Sequence, residues 1–369
     1  MTVGIVGAGQ LGRMMALAGY PLGLDFLFLD RDARSPGGQV GPILTGELGD
    51  PQLLGQLASR CEVLTFDWEN VSVEALEALP EAGARIAPPV RALAAAQDRL
   101  SEKRTFELLG IATTRYAPVN SRAELAIAVK SIGLPGVLKT RRMGYDGKGQ
   151  QVIRAATDLD AAWAALGSAP LLYENLVPFE KEVSIIAVRG RDGAVAYYPL
   201  NLNVHREGIL RLTRAPHGNA ALTRQAQRAA RRLLEHFNYV GVLTIEFFVR
   251  QGKLVANEMA PRVHNSGHWT IEGAETSQFE NHVRAIAGMP LGSTRARGHS
   301  AMINLIGAMP SREAMLAEPG LHWHDYGKAA RPGRKLGHIT LVEDTARRRD
   351  TRSLKVLGRT DRATWLAIR

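Results

Sequence analysis

Across residues 1–95, short apolar runs alternate with helix-like stretches, and this alternation limits the possible folds more than any other feature of the sequence. Residues 3–6, 26–29, 63–66 and 85–87 read as strands, and 11–18, 51–59 and 72–78 as helices. Strand and helix in turn build βαβ units, whose crossovers make neighbouring strands parallel. Pro88-Pro89 ends the pattern. One long helix is expected over 92–109, closed at Gly110, a residue suited to the left-handed conformation after a helix.

From about 111 to 290 the pattern changes to short strands at 136–140, 171–174, 182–187, 194–198, 243–249 and 253–259, with helices at 123–131 and 223–236. The runs 243–249 and 253–259 flank a Gly-containing turn, which is the signature of a hairpin, so this sheet should be largely antiparallel. Further strands at 301–306, 322–326 and 335–341 precede a polar loop carrying Arg347-Arg348-Arg349. The expected organisation is α/β and α+β in three parts: a doubly wound unit at 1–95, a central α+β unit at 96–290 and a small β-rich unit at 291–369.

The single cysteine, Cys61, excludes an internal disulfide and a Cys-rich metal site. No signal-peptide pattern and no apolar run near the ~20 residues of a membrane span are visible, so a cytoplasmic location is expected. Lys and Arg exceed Asp and Glu by 46 to 36, which favours an anionic partner. Arg224, Arg228, Arg231 and Arg232 read as the solvated face of a helix, and no aromatic-interleaved basic stripe is present. Phosphorylated small molecules therefore fit the charge better than nucleic acid does.

Gly7-Ala8-Gly9-Gln10-Leu11-Gly12 follows a strand and opens a helix, and Asp30 ends the next strand. A nicotinamide dinucleotide fits that context, but so does any tight turn whose amides meet an anion. A second phosphate apparatus weighs against the first reading. The run 137–139 ends in Lys139, and Gly144-Tyr145-Asp146-Gly147-Lys148-Gly149-Gln150 follows. Glycines let main-chain N–H groups converge on phosphate, and lysine adds a mobile charge, so the pair suits a nucleoside triphosphate.

Glu246 and Glu258 lie on the two arms of the hairpin. A strict two-residue loop at Gln251-Gly252 places Asn257 opposite Glu246, whereas one bulged residue places Glu258 there. Facing carboxylates ~5 Å apart repel one another, and a hard divalent cation relieves that cost. The polar stretch Arg262-Val263-His264-Asn265-Ser266-Gly267-His268 comes next, and Arg331-Pro332-Gly333-Arg334-Lys335 forms a further basic cluster.

Together, GAGQLGRM at 7–14, DWENV at 67–71, QDRLSEK at 97–103, GYDGKGQ at 144–150, YPLNLNVH at 198–205, NEMAPRVHNSGHWT at 257–270, SQFENHVRAI at 277–286, MINLIG at 302–307 and RPGRKLGH at 331–338 resemble the ATP-grasp superfamily. Within it they resemble the 5-(carboxyamino)imidazole ribonucleotide synthases. The resemblance implies an ATP-grasp fold with a Rossmann-like N-terminal domain and a small C-terminal domain, working as a cytoplasmic homodimer. It implies that ATP phosphorylates bicarbonate to carboxyphosphate, which carboxylates 5-aminoimidazole ribonucleotide in purine biosynthesis.

By matching motif positions, Lys139 and Gly144, Tyr145, Asp146, Gly147, Lys148, Gly149 and Gln150 would hold the triphosphate. Glu174, Asn175, Leu176 and Val177 would meet adenine, Glu182 the ribose, and Arg99 and His205 other parts of the nucleotide. Glu246 and Glu258 would hold Mg²⁺, with Asn257 beside them. Arg262, His264, Asn265 and His268 would face bicarbonate and carboxyphosphate. Gln10 and Leu11 would meet aminoimidazole ribonucleotide, Tyr145 and Asp146 would close over it, and Arg331, Arg334 and Lys335 would take its phosphate. The family usually has an aromatic or apolar residue and then Phe before its Glu-Asn pair. Asp67-Trp68 stand there instead, so Glu69 and Asn70 receive no role from the resemblance. Two further readings are another ligase or transferase of the superfamily and, from a different class, a nicotinamide oxidoreductase. A nucleic-acid-binding module would rest on charge alone.

Overall fold

The structure, a computed structural model, describes residues 1–79, 85–144 and 147–368. The N-terminal alternation folds as expected. Ile43–Thr45, Asp25–Asp30, Thr2–Val6, Val63–Phe66 and Arg85–Ile86 lie side by side in that order, all parallel. The helix Gln10–Gly19 crosses one face of this sheet and packs on the helix Gln278–Ala287 from the middle of the chain. Its apolar residues join a core that takes in Val3, Ile5 and Phe28 from the first sheet, Phe279 and Val283, and Met302 and Tyr326 from the last part of the chain.

Two antiparallel sheets make up the rest of the described strands. The smaller runs Tyr116–Val119, Leu171–Asn175, Gly136–Thr140, Gln150–Ile153. The helices Arg122–Ile132 and Leu159–Leu166 cover it, burying Leu125, Val129, Ile132, Leu159 and Ala162 against Leu138 and Tyr173. The larger runs Lys253–Ala260, Gly241–Arg250, Lys181–Arg189, Asn201–Arg206, Ile209–Ala215, His299–Ile306, Lys335–Glu343, Leu321–Asp325, with Val195–Tyr197 paired to one side. Because Ile209–Ala215 pairs directly with His299–Ile306, the sheet continues without a break across the expected boundary at 290.

The helix Ala220–His236 covers part of this sheet. Asn219 caps it by accepting from Leu222 N–H, and Leu222, Ala226, Ala229, Ala230, Leu233 and Leu234 form its buried stripe. Arg224, Arg228, Arg231 and Arg232 point outward, as the solvated-face reading expects. The short arginine run does not follow its expectation. Arg347 to Arg349 lie in the helix Ala346–Thr360, where Arg348 and Arg352 pair with Glu343 and the buried Arg349 pairs with Asp350.

The expected single helix at 92–109 is two, Val90–Gln97 and Arg99–Leu108, with Asp98 in extended conformation between them (φ −121°, ψ 112°). Asp98 is itself the cause. Its carboxylate accepts from Leu100 N–H at 2.9 Å and pairs with Arg141 at 2.6 Å, so it caps the second helix instead of continuing the first. The break starts a new helix at Arg99 and brings that side chain to the hairpin. The strand pair Asn201–Arg206 and Ile209–Ala215 and the helix Gln278–Ala287 had no counterpart in the sequence reading.

Candidate active site

The site is organised by the hairpin Gly241–Arg250 and Lys253–Ala260. Gln251 and Gly252 turn it with φ of 50° and 70°, a two-residue loop in the left-handed region whose twist suits a hairpin. Phe247 faces Ala256, and then the register shifts so that Glu246 faces Glu258 and Asn257 is the extra residue. Of the two registers open to the sequence, the bulged one forms.

Glu246 and Glu258 are not equivalent. The Glu258 side chain is 41% exposed and bonds to Arg99 Nη1 at 3.2 Å, while Glu246 is 14% exposed and lies 3.6 Å from His264 Nε2. Burial, opposed by His205 and reinforced by Glu258 and Glu182, raises the Glu246 pKa. For the half-exposed Glu258 desolvation acts in the same direction, but Arg99 and Lys139 outweigh it and keep the carboxyl low. Facing acids with one of them frustrated suit a hard divalent cation. Among the described residues no cluster of three or more His, Cys, Asp or Glu ligands occurs. A cation at this pair would therefore complete its shell from substrate phosphates and water, as Mg²⁺ does.

Two neighbours that sequence reasoning missed hold this pair in place. Glu102 Oε1 accepts from Met259 N–H at 2.6 Å, and Lys103 Nζ donates to the Asn257 carbonyl at 2.8 Å. The peptide groups on either side of Glu258 are thus both fixed, from one helical turn of the segment that also supplies Arg99. Both side chains are buried, and burial together with Glu258 pushes the Glu102 carboxyl up to about 8. Their sequence signal is the segment QDRLSEK at 97–103, which carries the resemblance without assigning either residue a role.

Lys139, at the end of Gly136–Thr140, pairs with Glu174 at 3.0 Å, and Lys103 approaches the same carboxylate at 3.2 Å. Thr114 Oγ1 donates to it at 2.5 Å. Burial would raise the Glu174 pKa, but the two lysines hold it far below the usual carboxylate range; burial likewise lowers that of Lys139. The Glu174 side chain is therefore committed to the protein. Asn175 N–H and Leu176 N–H are committed too, to the Arg115 and Pro135 carbonyls at 3.1 and 3.0 Å, and Val177 is buried.

Glu182 pairs with His205 Nδ1. Burial opposes the charged ring, yet the Glu182 hydrogen bond and the charges of Glu246 and Glu258 push its pKa up to about 9. The described residues of the glycine loop adjoin Thr140, Arg99 and Glu207. Gly149 accepts from Thr140 N–H at 2.8 Å, Gly144 adjoins Thr140 and Arg99, and Lys148 and Gln150 are exposed. A Cβ on Gly147 (φ 76°) would meet the Glu207 carbonyl at 2.8 Å. Tyr145 and Asp146, expected to close over substrate, lie outside the described residues.

Arg262 faces the pair from the loop after Lys253–Ala260, and Glu69 holds it in a two-bond ion pair at 2.7 Å. Glu69 is thus a site residue that the sequence left without a role. Three expected contacts are placed differently. Asn265 exchanges both amide bonds with Asn304, at 3.0 and 2.6 Å, so its side chain is turned to the sheet. His268 is fully buried against Phe279, Tyr326 and His338. Leu11 is core, because the helix that begins at Gln10 buries this position against the first sheet.

Gln10 Oε1 accepts from Lys328 Nζ. Lys328 belongs with Arg331, Arg334 and Lys335. Burial and these three cations, opposed by Asp67, push its pKa down to about 8. Sequence reasoning passed over it because it stands three residues before the basic motif. The glycine turn at 7–12 is closed to a pyrophosphate. Ala8 N–H donates to Asp30 at 2.6 Å, and a Cβ on Gly9 would stand 2.6 Å from Asp67 Oδ2. Two carboxylates already occupy the anion's place, which removes the nicotinamide reading.

Three family models match the chain in order: the ribonucleotide synthetase preATP-grasp domain over residues 1–97, the ATP-grasp domain over 104–279 and the phosphoribosylaminoimidazole carboxylase C-terminal domain over 300–352. The chain is 50% identical over 341 residues to N5-carboxyaminoimidazole ribonucleotide synthase of Pseudomonas aeruginosa, spanning 92% of this chain and 94% of that protein. The crystal structure of N5-carboxyaminoimidazole ribonucleotide synthetase from Thermus thermophilus matches with a TM-score of 0.92 at 50% identity, covering 97% of this chain and 98% of that one. The N5-carboxyaminoimidazole synthase of Aspergillus clavatus, in complex with ADP and 5-aminoimidazole ribonucleotide, matches with a TM-score of 0.91 at 33% identity over 98% of each chain.

Proposed function

This chain belongs to the N5-carboxyaminoimidazole ribonucleotide synthases of the ATP-grasp superfamily, and from that membership we propose how its residues divide the work. The enzyme is an ATP-dependent ligase of purine biosynthesis that carboxylates 5-aminoimidazole ribonucleotide. Bicarbonate is the proposed carbon source. Its oxygen takes the γ-phosphoryl group of ATP, giving ADP and carboxyphosphate; the ribonucleotide amine then bonds to the carboxyl carbon as the C–O bond to phosphate breaks, and the amine proton leaves with the phosphate.

Phosphoryl transfer of this kind needs positioned charge more than a protein nucleophile. Lys139, Arg99 and the 144–150 loop would hold the phosphates. Glu246 and Glu258 would hold Mg²⁺, which when bound neutralises charge between the phosphates. The Glu182–His205 pair would meet the ribose, and the backbone at 174–177 would offer adenine the groups not already committed. Arg262 and His264 would face bicarbonate. Gln10 and the cluster Lys328, Arg331, Arg334 and Lys335 would bind the ribonucleotide and its 5′-phosphate. Asn265, His268 and Leu11 are not part of this set. A homodimer and a cytoplasmic location belong to the proposal through the family resemblance; no helix among the described residues is long and apolar enough to cross a membrane.

The observation that carries this reading is the bulge that sets Glu258 against Glu246 within reach of Arg99 and Lys139. The test is fixation of labelled bicarbonate with ATP and Mg²⁺, with and without aminoimidazole ribonucleotide. Label should enter an acid-labile adduct of the ribonucleotide, one per ADP released. ADP release without label in the ribonucleotide would point to another acceptor.

A further inference from the structure

The two ring nitrogens of His264 meet different surroundings. Nδ1 lies 3.3 Å from the main-chain N–H of Ser266 and 2.9 Å from Ser266 Oγ. A main-chain N–H can only donate, so Nδ1 accepts and carries no hydrogen. A doubly protonated ring would set two hydrogens against each other there. The ring proton is therefore on Nε2, whose nearest carboxylate oxygen, Glu246 Oε1, is 3.6 Å away and beyond hydrogen-bond length.

The direction of these bonds is set further back. Trp269 Nε1–H, a donor only, bonds to Asn201 Oδ1 at 2.8 Å, which fixes which end of that amide is which. Asn201 Nδ2 then donates to Ser184 Oγ at 3.3 Å and to the Ser266 carbonyl at 3.1 Å. Asn203 Nδ2 donates to the same Ser184 oxygen at 2.9 Å. Having received two hydrogens, Ser184 gives its own to Ser266 Oγ at 2.9 Å, and Ser266 passes its own to His264 Nδ1. Ser184, Asn201, Asn203, Ser266 and Trp269 are all buried, so bulk water does not compete for the links.

We infer that the chain Trp269–Asn201–Ser184–Ser266 locks His264 in its Nε2–H form, which makes His264 a fixed hydrogen-bond donor to an oxygen of the bicarbonate-derived group and not a general base. Asn201, Ser184 and Ser266 are positioning residues that act through it. A donor already aimed at the place where negative charge develops needs no reorganisation during the reaction. The identity of that oxygen rests on the function proposed above; the position of the ring proton does not.

The test has two arms. Nitrogen NMR of the ¹⁵N-histidine-labelled, substrate-free enzyme, with the His264 signals identified by their loss in His264→Gln, should find Nδ1 bare and Nε2 protonated. In Ser184→Ala, Ser266 is free to turn its hydroxyl away, so Nδ1 keeps only its main-chain donor and its signal should move toward that of a weaker acceptor with the proton still on Nε2, which a purely structural role would not produce. In the second arm His264→Gln, whose amide nitrogen reaches the Nε2 position, should keep kcat within about tenfold, whereas His264→Asn should lose about 10²–10³-fold, the effect of removing one preorganised donor. A proton on Nδ1 in the unaltered enzyme, or equal losses in the Gln and Asn variants, would overturn the inference. Unmoved nitrogen signals in Ser184→Ala would remove the positioning residues from it. The NMR arm contains no substrate, so a failure of the carboxylation reading leaves its outcome intact.

Discussion

Glu69 and Arg262 meet in a two-bond ion pair, Oε2 to Nε and Oε1 to Nη2, each 2.7 Å long. Glu69 lies in the loop after the N-terminal strand Val63–Phe66, and Gln97 Nε2 steadies that loop by donating to the Glu69 and Val71 carbonyls at 2.7 and 2.6 Å. The parallel sheet, which holds no ATP in the proposed arrangement, thus fixes an arginine that follows a strand of the large sheet. Glu69→Gln should lower kcat about 10²-fold while ADP affinity stays unchanged. Steady-state rates beside a calorimetric ADP titration separate the two quantities. A matching loss of ADP affinity would place Arg262 at the nucleotide instead.

Glu258→Gln keeps the size of the side chain and removes its charge. Turnover should fall at least about 10²-fold, with the far-ultraviolet spectrum unchanged. The Mg²⁺ dependence of ADP binding should flatten in the same variant. Near-normal turnover would remove the metal assignment.

Lys103→Met leaves Glu174 with one lysine fewer and frees the Asn257 carbonyl from its donor. Breaking one side of so buried a pair costs about 3–5 kcal/mol. The urea midpoint should fall accordingly, and ADP should bind more weakly because the bulge is no longer held. An unchanged midpoint would mean that Lys139 alone satisfies Glu174.

His282 gives a pH signature away from the site. Its Nδ1 accepts from Val242 N–H at 3.1 Å and its Nε2 lies 2.8 Å from Thr65 Oγ1, so it joins the first sheet to the large one. Burial pushes its pKa from 6.5 down to about 3. As pH falls, the unfolded chain takes the proton first. The stabilisation is complete above about 6.5 and is lost toward about 3, at about 1.4 kcal/mol per pH unit. His282→Asn should be less stable at neutral pH and shallower by up to one proton across that window in urea titrations. Equal slopes would contradict the neutral buried ring.

Local pattern carried much of this architecture. The βαβ alternation before Pro88 and the hairpin around Gln251-Gly252 were legible because period and turn chemistry are properties of neighbouring residues. The bulge at Asn257 was not, since its partners Lys103 and Glu102 stand more than 150 positions away in the chain. Asp98 shows the same limit: without Arg141 in view, nothing marks it as a helix cap inside a helical run. Asn265 and His268 were expected at substrate from their motif, but Asn304 and the ring of His338 claim them from later strands. Glu69 received no role because Asp67-Trp68 depart from the family pattern before it, and its partner Arg262 stands 193 positions away in the chain.

The most direct measurement is a crystal structure of the protein with Mg²⁺ and a non-hydrolysable ATP analogue. The phosphate tail should lie between Lys139, Arg99 and the 144–150 loop, with the cation touching Glu246 and Glu258. Density for the analogue beside the Gly7–Gly12 turn, with the two glutamates apart from any cation, would contradict the assignment of the hairpin as the nucleotide site.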